Sequence, residues 1–386
     1  MEMKKIIYAS DAVLPSLRAN AVHIMRMCDA FAENGVDVTL YCNDGGDVEK
    51  MYEVYGVRNH FHIVAPSQKK VTGRIQNYIK WILCAWRNSK SIRKNYKNAF
   101  VYGRSLFLIF FLGNKYPFSY EVHAVPNNRI VAMIERRLLG SKKLVSLVAI
   151  SNPLKDYYSK LMPKELDGKI KVLHDGADIV DTSTVQKAVI DNSGSRYPNV
   201  NIGYVGSLYP GKCMEVLLPI AKAMADVKLH IVGGDEEWVK HWQTEADKKG
   251  INNLVFYGKV TPAEVASYYE ALDICVMSYS QKVYVGKDTK HEIGQWISPL
   301  KLFEAMAHKK AIVVTDLPSI REVINDGEDA ILIDASDING WVMAIKSLAE
   351  NDEMRCQLGE NAQKKLENDF SWVKRTQKII SDFESL

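Results

Sequence analysis

Hydrophobic positions along the chain fall into two alternating textures. Short runs rich in β-branched and aromatic residues recur through the first half: KKIIYAS, VDVTLYCN, HFHIVAP, AFVYGRS, FSYEVHAVP, LVSLVAIS and KIKVLHDGAD. Between them lie longer stretches with helical spacing. NAVHIMRMCDAFAENG places Val22, Met25, Cys28 and Ala32 on one face and ends at Gly35, a residue suited to a helix C-terminus. A long helix is predicted from Arg74 to about Tyr96. Residues 182–199 (TSTVQKAVIDNSGSRYPN) are polar and lose all periodicity, as a linker does. The alternation then restarts. NIGYVGSL, VKLHIVGG, LVFYGKV, ICVMSYS, KAIVVTD and AILIDA read as strands. CMEVLLPIAKAMAD, EWVKHWQTEADKKG, PAEVASYYEALD, PLKLFEAMAHK and SIREVINDG read as helices, and the tail DFSWVKRTQKIISDFESL is helical as well.

Strands alternating with helices predict parallel sheets covered on both faces. The expected fold is therefore α/β, with two Rossmann-like domains. Residues 1–185 form the first, 186–200 the linker and 201–365 the second; a C-terminal helix, 366–386, packs back toward the first. Ligands of open α/β sheets bind beyond the carboxyl ends of the strands, so two such sheets predict a cleft between the domains.

Composition narrows the class. With 47% hydrophobic and 25% charged residues the chain is an ordinary soluble globular protein, neither disordered nor repetitive. Met1 to Lys5 runs straight into a strand, so no secretory signal is expected, and LFLIFFL (106–112) is too short to span a bilayer. Six scattered cysteines without a C-x-x-C pair suit free thiols in a reducing, cytoplasmic setting. Residues 1–185 hold 27 Lys and Arg against 17 Asp and Glu, whereas the remainder holds 23 against 29. That asymmetry fits an anionic partner for the front half, or an unevenly charged solvated surface.

Several chemistries are excluded. No G-x-G-x-x-G follows a strand, which argues against nicotinamide or flavin binding. There is no H-E-x-x-H, no Asp-x-Asp and no G-x-S-x-G, so neither a metal, a cofactor nor a nucleophile elbow is expected. Nothing points to nucleic acid. The stretch GSLYPGKC fits G-x-x-x-x-G-K, but Cys213 stands where a hydroxyl should hold magnesium, and a thiol is a poor ligand for that hard cation. What remains is a strand, a loop, Lys212 and a helix, which offer N–H groups and a cation to a phosphate; a surface lysine on a loop is the plainer alternative. In SPLKLFEAMA, Glu304 lies among Leu302, Phe303, Ala305 and Met306, where a carboxylate needs hydroxyl or cationic partners unless it faces solvent.

GYVGSLYPGKCMEVLL, HIVGGDE, VFYGKV, SPLKLFEAMA and AIVVTDLPSIREVI, in that order, resemble the carboxyl-terminal domain of GT-B glycosyltransferases of family 4. The front-half segments AVHIMRMCDAFAENGVDVTLYC, FVYGRS, YEVHAVP, VAISNPLKDYY and VLHDGAD resemble its acceptor-side domain, so the likeness covers essentially the whole chain. The resemblance implies retaining, metal-independent transfer of a sugar from a nucleotide diphosphate to a saccharide or polyprenyl-linked acceptor, in surface polysaccharide synthesis. It implies catalytic roles for Lys212, on the diphosphate, and for His123, beside the transferred sugar, although a histidine at that strand end can equally be a packed core residue. It implies a donor site of Gly206, Ser207, Gly233, Gly234, Tyr257, Val260, Leu300 and Glu304, the last on the ribose. Arg18, Asn20 and Arg104 fall on the acceptor side. Two positions depart from the pattern: Trp296 stands where the family often has a first glutamate, and Ser207 where it commonly has arginine. Arg104, Lys287 or Lys301 could supply the missing cation.

The segment RIQNYIKWILCAWRNSKSIRKNYK (74–97) mixes Tyr78, Ile79, Trp81, Ile82, Leu83 and Trp86 with Arg74, Lys80, Arg87, Lys90, Arg93, Lys94 and Lys97. This composition suits a helix on an anionic membrane at the inner face of the cell, or a domain-packing helix with a basic outer side. Two other functions share the architecture. A nucleotide-sugar 2-epimerase would need paired acid and base residues around the sugar, and no convincing pair is visible. A non-catalytic nucleotide-sugar-binding module is compatible with Trp296 and Ser207.

Overall fold

The computed structural model describes residues 5–45, 47–66, 74–284 and 292–384. It divides into two compact units, Met1–His174 with Trp372–Leu386, and Asp175–Ser371.

In the first unit seven parallel strands run β1 (Lys5–Leu14), β2 (Asp37–Gly45), β3 (His62–Val64), β4 (Phe100–Gly103), β5 (Phe118–Val122), β6 (Leu144–Ala149) and β7 (Ile170–Val172). Their spatial order is β3-β2-β1-β4-β5-β6-β7. The chain winds outward from β1 and then returns to β4, so the carboxyl ends of β1 and β4 form the switch point where α/β sheets receive ligands. β5 is buried along its whole length, as a central parallel strand must be. The helix Ala19–Glu33 buries more than one face: Ala21, Ile24, Met25, Met27, Cys28 and Phe31 are covered, and so are His23 and Asp29. LFLIFFL forms the helix Leu106–Leu112, capped by Ser105, whose Oγ accepts from Leu108 N at 3.3 Å. It is apolar nearly all round because neighbours cover it.

The C-terminal helix Trp372–Glu384 is part of this first unit. Asn34 donates to Val373 O (3.0 Å) and Thr376 Oγ1 (2.8 Å), Phe383 stacks on Phe100 with centroids 5.0 Å apart, and Trp372 and Ile379 are buried. Each such buried apolar side chain is worth roughly 1.5–3 kcal/mol, enough to hold a 13-residue helix that would be marginal alone.

The second unit holds β8 (Ile202–Val205), β9 (Leu229–Val232), β10 (Leu254–Gly258), β11 (Ile274–Met277), β12 (Ala311–Thr315) and β13 (Ile331–Ile333), ordered β10-β9-β8-β11-β12-β13 and again parallel. One apolar cluster centres on Leu217, Trp341 and Ile345, the other on Phe303, Met306 and Ile320. The polar stretch expected as a linker, 186–200, lies within this unit. Ala188 N donates to Ser267 O (2.9 Å), and Asn192 Nδ2 to Tyr197 O (2.7 Å) and Val200 O (2.9 Å). The units accordingly divide after His174 and after Ser371, not after 185 and 365. A segment tied by hydrogen bonds needs no apolar period. SIREVINDG is likewise only partly helical, over Pro318–Arg321; beyond it Asn325 N bonds the Asp329 carboxylate at 3.0 Å and Gly327 takes φ 76°.

Candidate functional site

In the second unit the carboxyl ends of β8, β9 and β10 are glycines in backbone contact. Gly206 N donates to Val232 O (2.9 Å) and Gly233 N to Gly258 O (2.7 Å). Gly233 has φ 109° and Gly234 φ 84°, and a Cβ on Gly233 would stand 2.3 Å from Gly206 O. Only glycine fits there, so backbone rather than side chain lines this edge. The next turn is fixed by Lys212 N to Tyr209 O (3.0 Å), Gly211 N to Glu215 Oε1 (2.8 Å) and Ser280 N to Gly211 O (3.1 Å). Lys212 is half-buried, and among the described residues no carboxylate pairs with it. Burial lowers its pKa to about 8. The adjacent Cys213 is a core residue: its buried Sγ lies 3.4 Å from Ser278 Oγ, and burial pushes the thiol up to about 12.

The helix Leu300–Ala307 buries Leu302, Phe303, Ala305 and Met306 and presents Lys301 and Glu304 one turn apart. Lys301 Nζ donates to the Tyr204 hydroxyl at 2.8 Å and stands 4.0 and 4.2 Å over the rings of Tyr204 and Tyr279. The Tyr204 hydroxyl in turn donates to Ser207 O at 2.8 Å. Burial first, and the Lys212 charge after it, hold Lys301 well below the ordinary lysine range against the opposing pull of Cys213 and Glu304. Half-buried Glu304 accepts from the Tyr269 hydroxyl at 3.3 Å.

The structure therefore brings together Gly206, Ser207, Gly233, Gly234, Lys301 and Glu304, with Lys212 close enough to act on Lys301 electrostatically. Leu300 opens the Lys301–Glu304 helix. Tyr257 directs its hydroxyl to His230 Nδ1 (3.0 Å), and Val260 packs on the apolar cluster, so both side chains are engaged in the fold. Trp296 is half-buried in the loop before the helix, and Lys287 lies outside the described residues. Lys301 carried the clearest signal that sequence reading underused: a lysine at an otherwise apolar register position.

In the first unit, His123 follows β5 directly. Its Nε2 bonds Glu121 Oε1, and its ring centroid is 5.0 Å from that of His23. Burial, then the Arg104 charge, lowers its pKa to about 4 against the pull of Glu121, so the imidazole is neutral. Arg104 NH1 lies 3.5 Å from His23 Nδ1, which joins Arg104 and His123 to one cluster. Arg18 and Asn20 are exposed at the N-terminus of the helix Ala19–Glu33, and among the described residues no side-chain hydrogen bond ties them to that cluster.

On the same unit, the helix Arg74–Asn95 buries Cys84, Ala85, Asn88, Ser89 and Ile92. Ile79, Trp81, Leu83 and Trp86 are 42–54% exposed. Lys90 Nζ sits 3.6 Å over the Trp86 ring, whereas Arg93 is tied to Asn114 Oδ1 at 2.8 Å and so serves the fold. The side chains of Arg74 and Tyr78 lie outside the described residues. Among the described residues no helix is long and apolar enough to cross a membrane.

Two parallel sheets of this topology with interleaved helices place the chain in the GT-B fold class. Residues 199–351 match the sequence model of the glycosyl transferases group 1. The GT-B fold is shared with Anabaena HepE, solved with UDP and glucose, at a TM-score of 0.72 and 16% identity over 100% of both chains. An uncharacterized glycosyltransferase of Methanocaldococcus jannaschii is 24% identical over 59% of this chain and 58% of its own length. The phosphatidyl-myo-inositol mannosyltransferase of Mycolicibacterium smegmatis is 28% identical over 46% of this chain and 42% of its own. The matched regions thus span about half the length of these relatives. The resemblance read from the sequence motifs, to GT-B glycosyltransferases, holds.

Proposed function

We propose that this chain is a retaining glycosyltransferase that moves a sugar from a nucleoside diphosphate to a hydroxyl of a saccharide or polyprenyl-linked acceptor in surface polysaccharide synthesis. The observation that carries the reading is Lys212: a half-buried ammonium with no carboxylate partner among the described residues, beside a backbone-lined strand edge and a second desolvated lysine. Two desolvated lysines facing a backbone-lined edge, with Glu304 the acid acting on Lys301, leave a surplus of positive charge that a diphosphate would balance. Lys301 takes the place of the arginine that Ser207 lacks. Glu304 receives the ribose hydroxyls, and His123 meets the transferred sugar.

The chemistry follows from charge. As the anomeric C–O bond breaks, its electron pair passes to the diphosphate, and Lys212 and Lys301 stabilise the growing negative charge. The acceptor oxygen forms the new bond from the same face, and its proton goes to the departing phosphate. The lysines supply the charge a metal would otherwise bring, so the reaction is metal-independent. The exposed aromatic and basic face of Arg74–Asn95 supports peripheral attachment to an anionic inner membrane surface.

Calorimetric titration with uridine, guanosine and adenosine diphosphates tests the reading. One of them is expected to bind, and Lys212→Ala to lose most of that affinity. Equal binding by both proteins would refute it.

A further inference from the structure

Glu121 is an acid inside a strand that is otherwise apolar but for Ser119, and its side chain is fully buried. Such a carboxylate persists only if donors surround it. Oε1 faces the Nε2 atoms of His123 and, at 3.3 Å, of His23. Oε2 receives the Tyr102 hydroxyl and Arg375 NH2, the latter at 3.0 Å. Arg375 comes from the C-terminal helix and is itself 3% exposed. Backbone carbonyls hold its other donors: Nε gives to His174 O (2.8 Å) and NH2 to Leu173 O (3.1 Å), while NH1 lies 3.2 Å from the Tyr102 hydroxyl. The guanidinium is thus clamped against the carboxylate.

Burial pushes the Glu121 carboxyl up, but Arg375 and the His123 and His23 contacts outweigh it and keep the acid ionised, well below the usual carboxylate range. An ionised carboxylate only accepts hydrogen bonds. The His123 Nε2 that bonds it therefore carries hydrogen. Burial and the Arg104 charge keep this ring neutral, so His123 holds Nε2–H toward Glu121 and a lone pair on Nδ1. Among the described residues of this unit, the charged and titratable groups around the pair include Tyr8 from β1, Tyr102 and Arg104 from β4 and its loop, His23, and Arg375.

We propose that Arg375 is a positioning residue for His123: acting through Glu121, it fixes the imidazole in the Nε2–H tautomer and presents Nδ1 as an acceptor for a ligand hydroxyl. The importance of that hydroxyl rests on the sugar-transfer reading, but the tautomer does not. Without Arg375, Glu121 becomes a buried acid that seeks a proton. The Glu121–His123 pair then takes up its first proton at higher pH, and Nδ1 is lost as an acceptor whenever the ring is doubly protonated.

The test is imidazole nitrogen NMR of the full chain across pH 4–8. In the native protein His123 is expected as the Nε2–H tautomer over the neutral part of that range, gaining its second proton only near about 4. Arg375→Gln should move that titration up by about one pH unit or more. Arg375→Lys, which keeps the charge, should restore most of it. Should Arg375→Gln not fold, Glu121→Gln/Arg375→Gln removes both charges and keeps the shape, and is expected to populate both tautomers. A His123 signal unchanged in tautomer and titration in whichever of these folds overturns the proposal. Sugar transfer is read separately. kcat/KM should fall about tenfold or more in Arg375→Gln, with a new acid limb in its pH profile. If the tautomer shifts as expected while transfer survives both Arg375→Gln and His123→Ala, the relay stands and the role of His123 toward the sugar falls.

Discussion

Raising the pH should weaken diphosphate binding in a way that reports on Lys212. In the free protein burial holds this lysine at about 8 instead of the ordinary 10.5. A bound diphosphate supplies the missing counter-charge and should return the lysine to at least its ordinary value. Affinity is then linked to proton uptake. Below pH 8 the ammonium is already formed; above it, binding must recruit a proton from solution. With those two pKa values the linkage relation gives an affinity about tenfold lower at pH 9 than at pH 7. At pH 8 about half a proton should be taken up per ligand bound, readable as the dependence of calorimetric heat on buffer ionisation enthalpy. Lys301 is depressed as well, so it adds a separate step at its own pH. The Lys212→Arg variant isolates the step near 8, because guanidinium stays charged across the range and ligand ionisation is common to both proteins. The arginine variant should bind with much flatter pH dependence between 7 and 9. If native affinity is flat over that interval, or if Lys212→Arg shows the same tenfold fall, Lys212 does not contact the diphosphate.

The same burial predicts a trade between stability and function. A lysine whose folded pKa lies below its unfolded value destabilises the fold at pH 7, and this cost fades as pH rises through 8 toward 10.5. Lys212→Met should therefore gain of order 2 kcal/mol at pH 7, less at pH 10, while losing activity; denaturant melts at both pH values check it. Glu304→Ala should chiefly raise the donor KM, whereas Lys212→Ala should lower kcat by roughly 10²–10³-fold, since only the diphosphate gains charge in the transition state; equal effects on both constants in the two variants would contradict the assignment. Gly233→Ala places a methyl 2.3 Å from Gly206 O at φ 109°, and should cost about 2 kcal/mol or more in thermal unfolding. Binding to anionic liposomes should fall with salt and with Arg87, Lys90 and Lys94 neutralised together; flotation that is unmoved by both changes would exclude this helix as the contact.

Periodicity alone determined the two alternating α/β halves, because strand and helix repeats are local and the solvent-shielded strands must be continuously apolar. Gly206 and Gly233 stand where close backbone approach admits only glycine, and that demand is written at single positions, whereas Lys212 and Glu304 were singled out by a motif and by a resemblance. The division of the chain was not legible in the sequence. The stretch 186–200 looks like a tether, yet hydrogen bonds from Asn192 and Ala188 bind it to the second unit, and such bonds leave no repeat in the text. Lys301 and Tyr204 lie 97 positions apart, and Glu121 and Arg375 more than 250. Which buried charge meets which partner depends on strand order and on the return of the last helix to the first unit. Only tertiary packing decides those, because burial is what makes an unpaired charge costly and a paired one specific.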